Sequence, residues 1–261
     1  MELHLRHEKL AATLRELGSV GVAFSGGVDS SVLLHAATAA LGDRAVGIIA
    51  DSPSLPRAEL REAKSLAAKM GARLRVVETA ELEDPDYISN RGDRCFYCKS
   101  ALFVAMELVA SELELDALAF GEITDDLNDH RPGAKAARER GVVAPLRECG
   151  FSKLDVREYA RTHGLPVAEK PASACLASRI PVGTEVSRER LERVELAEAA
   201  LSELGLRVLR VRNHGSLARV EVGADELGTA RALRSEIAER LRALGFQELT
   251  LGAYGPASAT A

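Results

Sequence analysis

A five-residue apolar run, Val20 to Phe24, leads straight into Ser25-Gly26-Gly27 and then into a helical pattern from about Asp29 to Leu41. No other feature of the chain constrains its fold as strongly. A continuous apolar run with glycines on both sides reads as a strand buried on both faces, which belongs in a parallel sheet covered by helices. The first half of the chain keeps up this alternation. Ala45–Ala50 and Leu74–Val77 predict a second and third strand, and Leu60–Met70 predicts a helix stopped by Gly71. A helix over about Tyr97–Leu113 precedes a fourth strand, Ala117–Phe120. Helical spacing also runs from Leu3 to Leu17 and from Lys153 to His163, with a brief strand at Val142–Ala144. Helix and strand taking turns predicts an α/β fold, a parallel sheet with helices on both faces.

The pattern loosens at 81–94 and at 121–133, where Asp, Pro, Asn and Gly cluster into loops, and again at 169–184, an irregular stretch of functional character. At Ser187 the composition changes. Charged helix patterns over about Arg188–Leu204 and Asp225–Leu244 flank two alternating runs, Arg207–Arg212 and Leu217–Val222, and a strand-like run follows Phe246. This order predicts a small C-terminal α+β domain over 187–255, for substrate binding or oligomerisation, behind a nucleotide- and cysteine-bearing domain over 1–184. Residues 256–261 read as a tail.

Charge and cysteine content narrow the function classes. Lys and Arg total 34 against 39 Asp and Glu, a net charge of −5, so no overall basic field exists to hold a nucleic-acid backbone. No apolar run approaches the roughly 18 residues of a membrane span, and the amphipathic N-terminus lacks the apolar stretch of a signal peptide. Cys95 and Cys98 form a C-x-x-C pair, which without an export signal favours metal or redox chemistry over a disulfide. These features describe a cytoplasmic enzyme with neither nucleic acid nor membrane as partner.

The segment Phe24-Ser25-Gly26-Gly27-Val28-Asp29-Ser30 carries the sharpest chemistry. Its glycines let backbone approach a ligand, and the helix start behind them offers unpaired N–H groups and a positive dipole end to phosphate. Ser25 and Ser30 add hydroxyls, and Asp29 can hold a magnesium ion that bridges phosphate oxygens. The plainer alternative is a turn in which Ser25 or Asp29 merely caps the helix. The loop resembles the SGGxDS signature of the PP-loop ATP pyrophosphatase superfamily, whose members activate an oxygen of their acceptor as an adenylate and release pyrophosphate. That resemblance implies ATP and Mg2+. It also places Ala50, with the ribbon Asp51-Ser52 behind it, near adenine, and Gly121 against the nucleotide.

The other cysteines are Cys175, flanked by Lys170 and Arg179, and Cys149, which sits in no pattern and reads as an inert small hydrophobe. For Cys95 and Cys98, a structural zinc or a plain buried pair remains the alternative to a cluster. A closer resemblance covers nearly the whole chain. The segments Arg94–Lys99 (RCFYCK), Asp125–Gly133 (DDLNDHRPG), Lys170–Gly183 (KPASACLASRIPVG) and Leu217–Val222 (LARVEV) resemble the LarE family. Its members are ATP-dependent sulfur transferases that make the organic part of a nickel-pincer cofactor. They adenylate a carboxylate of a pyridinium-dicarboxylate mononucleotide and turn it into a thiocarboxylate.

The family has two chemical types. In one, a lone cysteine at the Cys175 position attacks the acyl-adenylate and surrenders its sulfur. In the other, three cysteines hold a [4Fe-4S] cluster that carries a transferable sulfide. Cys95, Cys98 and Cys175 match the three-cysteine type, and the resemblance implies that they converge on one cluster, resupplied by a sulfide donor. Ser178, Arg179, Arg210 and Arg212 are candidates for the acceptor's phosphate, since an arginine fork fits phosphate, with solvated surface charge as the alternative for Arg210 and Arg212. Glu198 and Glu221 match acidic positions of the family pattern. The expected protein is thus a homo-oligomeric sulfur transferase acting on a small anionic mononucleotide. The rival readings are a tRNA-thiolating PP-loop enzyme and a nucleotide- or metal-binding module without turnover.

Overall fold

Val20–Ala23 forms the first strand, β1, and all four of its residues are buried. It pairs in parallel with β2 (Ala45–Asp51) on one side and with β4 (Ala117–Phe120) on the other, and β3 (Arg73–Glu78) adds to β2, giving the order β3-β2-β1-β4. The sheet is parallel because each strand is followed by a helix that returns the chain: α1 (Leu3–Glu16) leads into β1, and α2 (Val28–Leu41), α3 (Arg57–Lys69) and α5 (Arg94–Leu113) follow β1, β2 and β3. The short α4 (Pro85–Ser89) precedes α5. After β4 come α6 (Pro132–Glu139), α7 (Pro145–Glu148) and α8 (Lys153–Thr162). Leu10, Leu14, Val32, Leu33 and Val156 close one core against β1, while Phe103, Met106 and Val46 pack in a second cluster. The expected strand at Val142–Ala144 is a single bridge, Val143 to Ala119. The expected loop at Pro132 is the start of α6.

The structure is a computed structural model that describes residues 3–128, 132–171 and 173–255. The expected tail at 256–261 and the acidic residue Asp129 lie outside them. The chain divides into two units: Met1–Tyr87 with Asp93–Ser173, and Ile88–Gly92 with Ala174–Ala261. The first therefore ends at Ser173, not at 184, which assigns Cys175 to the second unit. In that unit α9 (Arg188–Ser202) starts at Ser187, whose hydroxyl accepts from Arg190 N, and buries Leu191, Val194, Ala197 and Leu201 along one face. Against that face lies the sheet β5-β6-β7, formed by Leu209–His214, Leu217–Val222 and Glu248–Ala253, with β5–β6 antiparallel and β6–β7 parallel. The single helix expected over Asp225–Leu244 is two, α10 (Leu227–Ala232) and α11 (Arg234–Ala243). They turn at Leu233, so that Ala230, Ile237 and Leu241 all reach one core.

Residues 88–92 join the second unit through Asn90, which is fully buried at a left-handed φ of 51°. Its amide donates to Pro181 O at 2.8 Å and Thr184 O at 2.9 Å, and its own carbonyl accepts from Gly183 N at 2.9 Å. Asn90→Ala would strand those carbonyls and put a poor residue at positive φ, so unfolding free energy should fall by about 2–4 kcal/mol, measured by urea titration.

Three histidines gather where α1, α2 and α8 meet. The His163 ring stacks on Tyr159 at 4.0 Å and lies 5.1 Å from His35 and 6.0 Å from His7, and His35 Nδ1 lies 3.0 Å from the Tyr159 hydroxyl. Burial, then the charge of His163, pushes His7 and His35 below the usual histidine range; Asp155 opposes this weakly at His7. The unfolded chain therefore binds protons on these rings before the folded chain does. The stability they give is full above about pH 6.5 and is lost as pH falls towards their folded values. Melting temperature should drop between pH 7 and pH 5, and His35→Asn should flatten that dependence.

Candidate active site

The loop between β1 and α2 is built around Ser30. Its hydroxyl accepts from Ser25 N at 3.2 Å and donates to Gly27 O at 3.1 Å, and the Ser25 hydroxyl lies 3.1 Å away. Gly26 takes a φ of +72°, and a Cβ there would meet Ala63 Cβ at 2.9 Å, so both conformation and α3 demand glycine. Gly27 sits at the start of α2 in extended conformation, with no side chain capping the helix. The alternative of a Ser25 or Asp29 cap is therefore not what the loop adopts. The first turn of α2 keeps its N–H donors and its positive end for an anion. A Cβ on Gly121 would lie 2.9 Å from Ser30 N, so the end of β4 abuts that turn.

Asp29 is paired with the start of α8. Its carboxylate receives Lys153 Nζ at 2.8 and 2.7 Å. Lys153 opens α8, where Ser152 and Asp155 form a capping box, and Lys153 N donates to Asp125 Oδ2 at 3.0 Å. Thr124 N donates to Phe151 O at 2.9 Å and Arg147 pairs with the buried Glu122, so the segment after β4 holds the α8 start in place. Sequence reading missed Lys153, which lies 124 residues from its partner. The arrangement sets an ammonium, an exchangeable carboxylate and a bare helix start side by side, the chemistry a polyphosphate with a divalent cation needs.

The ribbon behind β2 is equally fixed. Ser52 bonds the buried Glu81, Ser54 N donates to Ser52 Oγ at 2.9 Å, and the Ser54 and Tyr87 hydroxyls are bonded to each other. Arg57 binds Asp51 and the carbonyls of Ser52 and Leu55. Beside Gly26, a cavity of about 340 Å3 runs between α3 and the segment after α8, with Lys69 and Lys170 in its wall. Lys170 is held by Glu59 at 2.6 Å and Glu62 at 3.0 Å.

None of the four cysteines is in a disulfide. Cys149 is buried beside Thr13 at 3.6 Å, and burial pushes its thiol up, as an inert cysteine requires. Cys95 and Cys98 lie one turn apart at the start of α5, one exposed and one half-buried. Cys175 is half-buried in the second unit, just before a 3-10 turn over Leu176–Arg179. Three accessible thiols are a donor set that fits an iron-sulfur cluster. Among the described residues, however, no three His, Cys, Asp or Glu side chains are gathered as a metal site.

Within the second unit the structure brings several candidates together. Arg212 pairs with Glu221 at 2.9 Å and reaches Ser178 O at 3.4 Å, and Arg219 adds to Glu221 at 3.1 Å. Arg210 lies on the same face of β5, over the Tyr254 ring at 5.5 Å. Arg179 is enclosed within this unit. Its side chain is only 3% exposed and bidentate on Glu198, at 2.9 and 3.1 Å. Every nitrogen of its guanidinium already has an acceptor within the protein.

No family model matches the chain. An uncharacterized protein of Synechocystis sp. is 38% identical over 255 residues, 97% of this chain and 95% of the relative. One subunit of the glutamine-hydrolyzing GMP synthase of Archaeoglobus fulgidus is 27% identical over 198 residues, 71% of this chain and 65% of the relative. The pyridinium-3,5-bisthiocarboxylic acid mononucleotide synthase of Lactiplantibacillus plantarum is 35% identical over 247 residues, 94% of this chain and 90% of the relative. An identity of that order across almost all of both chains, joined to the glycine loop on a parallel sheet, makes this chain a member of the LarE family within the PP-loop superfamily.

Proposed function

We propose that the protein is an ATP-dependent sulfur transferase that acts on a carboxylate of a pyridinium-dicarboxylate mononucleotide in nickel-pincer cofactor synthesis. The observation that carries the ATP half is the uncapped start of α2 with Lys153 and Asp29 beside it. ATP would lay its phosphates on the Ser25–Ser30 backbone, with adenine along the Ala50–Ser52 ribbon and Gly121 leaving room for the nucleotide. Asp29 would exchange its lysine for magnesium, freeing the Lys153 ammonium for phosphate oxygen. The acceptor carboxylate then attacks the α-phosphorus, an acyl-adenylate forms and pyrophosphate leaves. A sulfur nucleophile next adds to the acyl carbon, and AMP departs with the former carboxylate oxygen.

Ser178, Arg210 and Arg212 are proposed for the acceptor's phosphate, supported by the shared face of Arg210 and Arg212 on β5 and by the reach of Arg212 to the Ser178 carbonyl. A [4Fe-4S] cluster on Cys95, Cys98 and Cys175 would supply, when bound, an iron able to carry a sulfide for transfer. The match of these three cysteines to the family's three-cysteine type supports it, and it calls for a sulfide donor. The reading extends to a homo-oligomer, supported by β7 at the edge of the second sheet. It also extends to the cytoplasm; among the described residues no helix is long and apolar enough to cross a membrane. The test is single turnover of anaerobically purified protein with ATP and acceptor, followed by iron and sulfide counts and intact-chain mass. Bound iron and sulfide with an unchanged chain mass supports the cluster. Iron-free protein whose Cys175 has lost hydrogen sulfide replaces it with a sacrificial cysteine.

A further inference from the structure

We infer that Arg179 and Glu198 form a fixed clamp that positions Cys175, so that Arg179 is a positioning residue and not a ligand of the acceptor's phosphate. The inference rests on the reading that Cys175 carries the sulfur chemistry, but its geometry stands independently. Arg179 Nη1 donates to Ala174 O at 2.6 Å and to Cys175 O at 3.0 Å. The Cys175 carbonyl also accepts from Ser178 N at 3.0 Å and from Ser178 Oγ at 2.7 Å. Three donors on one carbonyl fix the peptide that follows the thiol-bearing residue, and they do so from a 3-10 turn only four residues long.

The turn is fastened in its own right. Glu198 stands on α9 and grips Arg179 with both oxygens, while Oε1 also accepts from Val211 N of β5 at 2.9 Å. The chain of contacts therefore runs from the Cys175 peptide through a buried guanidinium to a helix and a strand. A planar fork paired to a carboxylate is the least adaptable cation a protein can place, and one that is 3% exposed has no face left for a substrate phosphate. Lysine could carry the charge but could not serve the carbonyls and the carboxylate in one plane. The clamp holds the thiol's backbone still whether the sulfur acts as a ligand or as a nucleophile, and either role depends on position to within a fraction of an ångström.

The experiment measures alkylation of each cysteine by iodoacetamide in the full-length protein, treated with a chelator to remove any iron and kept without ATP or acceptor, read by peptide mass spectrometry. Cys95 and Cys98 serve as references, and the buried Cys149 reports unfolding. In Arg179→Lys and in Glu198→Gln alike, Cys175 should react about tenfold faster or more, since each loses charge-assisted bonds to the turn, while the other three rates hold. The double variant should add nothing to either single one. In turnover, kcat should fall with the acceptor KM near the wild-type value. Should Arg179→Lys unmask Cys149, Glu198→Gln decides, because it keeps an acceptor for Val211 N. A Cys175 rate within a few-fold of wild type in that variant overturns the clamp, and a raised acceptor KM alongside it returns Arg179 to the substrate. Since no substrate is present, the alkylation result holds even if the sulfur-transfer reading fails.

Discussion

Replacing Lys153 by alanine should lower the kcat of pyrophosphate release by about two to three orders of magnitude, the loss usual for one preorganised donor to developing phosphate charge. Asp29→Ala should abolish the release, because it removes the magnesium position as well. Neither change should unfold the protein. The two side chains are 38% and 27% exposed, so their ion pair contributes about 1 kcal/mol or less to stability. The double variant should be no worse than Asp29→Ala, since the two residues serve one phosphate group. Stopped-flow pyrophosphate detection beside thermal melts checks this. A Lys153→Ala enzyme with wild-type kcat would remove the α8 start from the mechanism.

Cys175→Ala should cut thiocarboxylate formation by about a thousandfold or more while a single round of adenylation and pyrophosphate release survives. The separation follows from the fold: Lys153 and the glycine loop belong to the first unit, and Cys175 to the second. Cys95→Ala then distinguishes the two sulfur sources. With a cluster, it loses iron and sulfur transfer together, because two thiolates hold a cluster poorly. With a sacrificial Cys175, it transfers one sulfur as before.

The first unit was largely legible, because burial on both faces leaves an unbroken apolar run for β1 and β2, and a glycine loop between strand and helix has few structural uses. What escaped was information held by single residues. Lys153 has no periodicity of its own; only the Ser152–Asp155 capping box marked a helix start there. Asn90 sits in a polar stretch that reads as loop, yet its side chain ties 88–92 to a segment about ninety positions away, which no local pattern records. The boundary was expected at the change of composition near Ser187, but compactness follows contacts, and Arg179 gives the Cys175 turn its contacts with α9. Arg179 itself was visible as an arginine beside Cys175, but its burial was not, since burial of a charged residue depends on a partner nineteen residues on.

The most direct test of the account uses acceptor labelled with oxygen-18 in its carboxylates, mixed with ATP and enzyme. AMP should gain one labelled oxygen per sulfur inserted, pyrophosphate should stay unlabelled, and the acceptor should exchange one oxygen for sulfur. Label in inorganic phosphate with ADP as the nucleotide product, or sulfur insertion without labelled AMP, would contradict it.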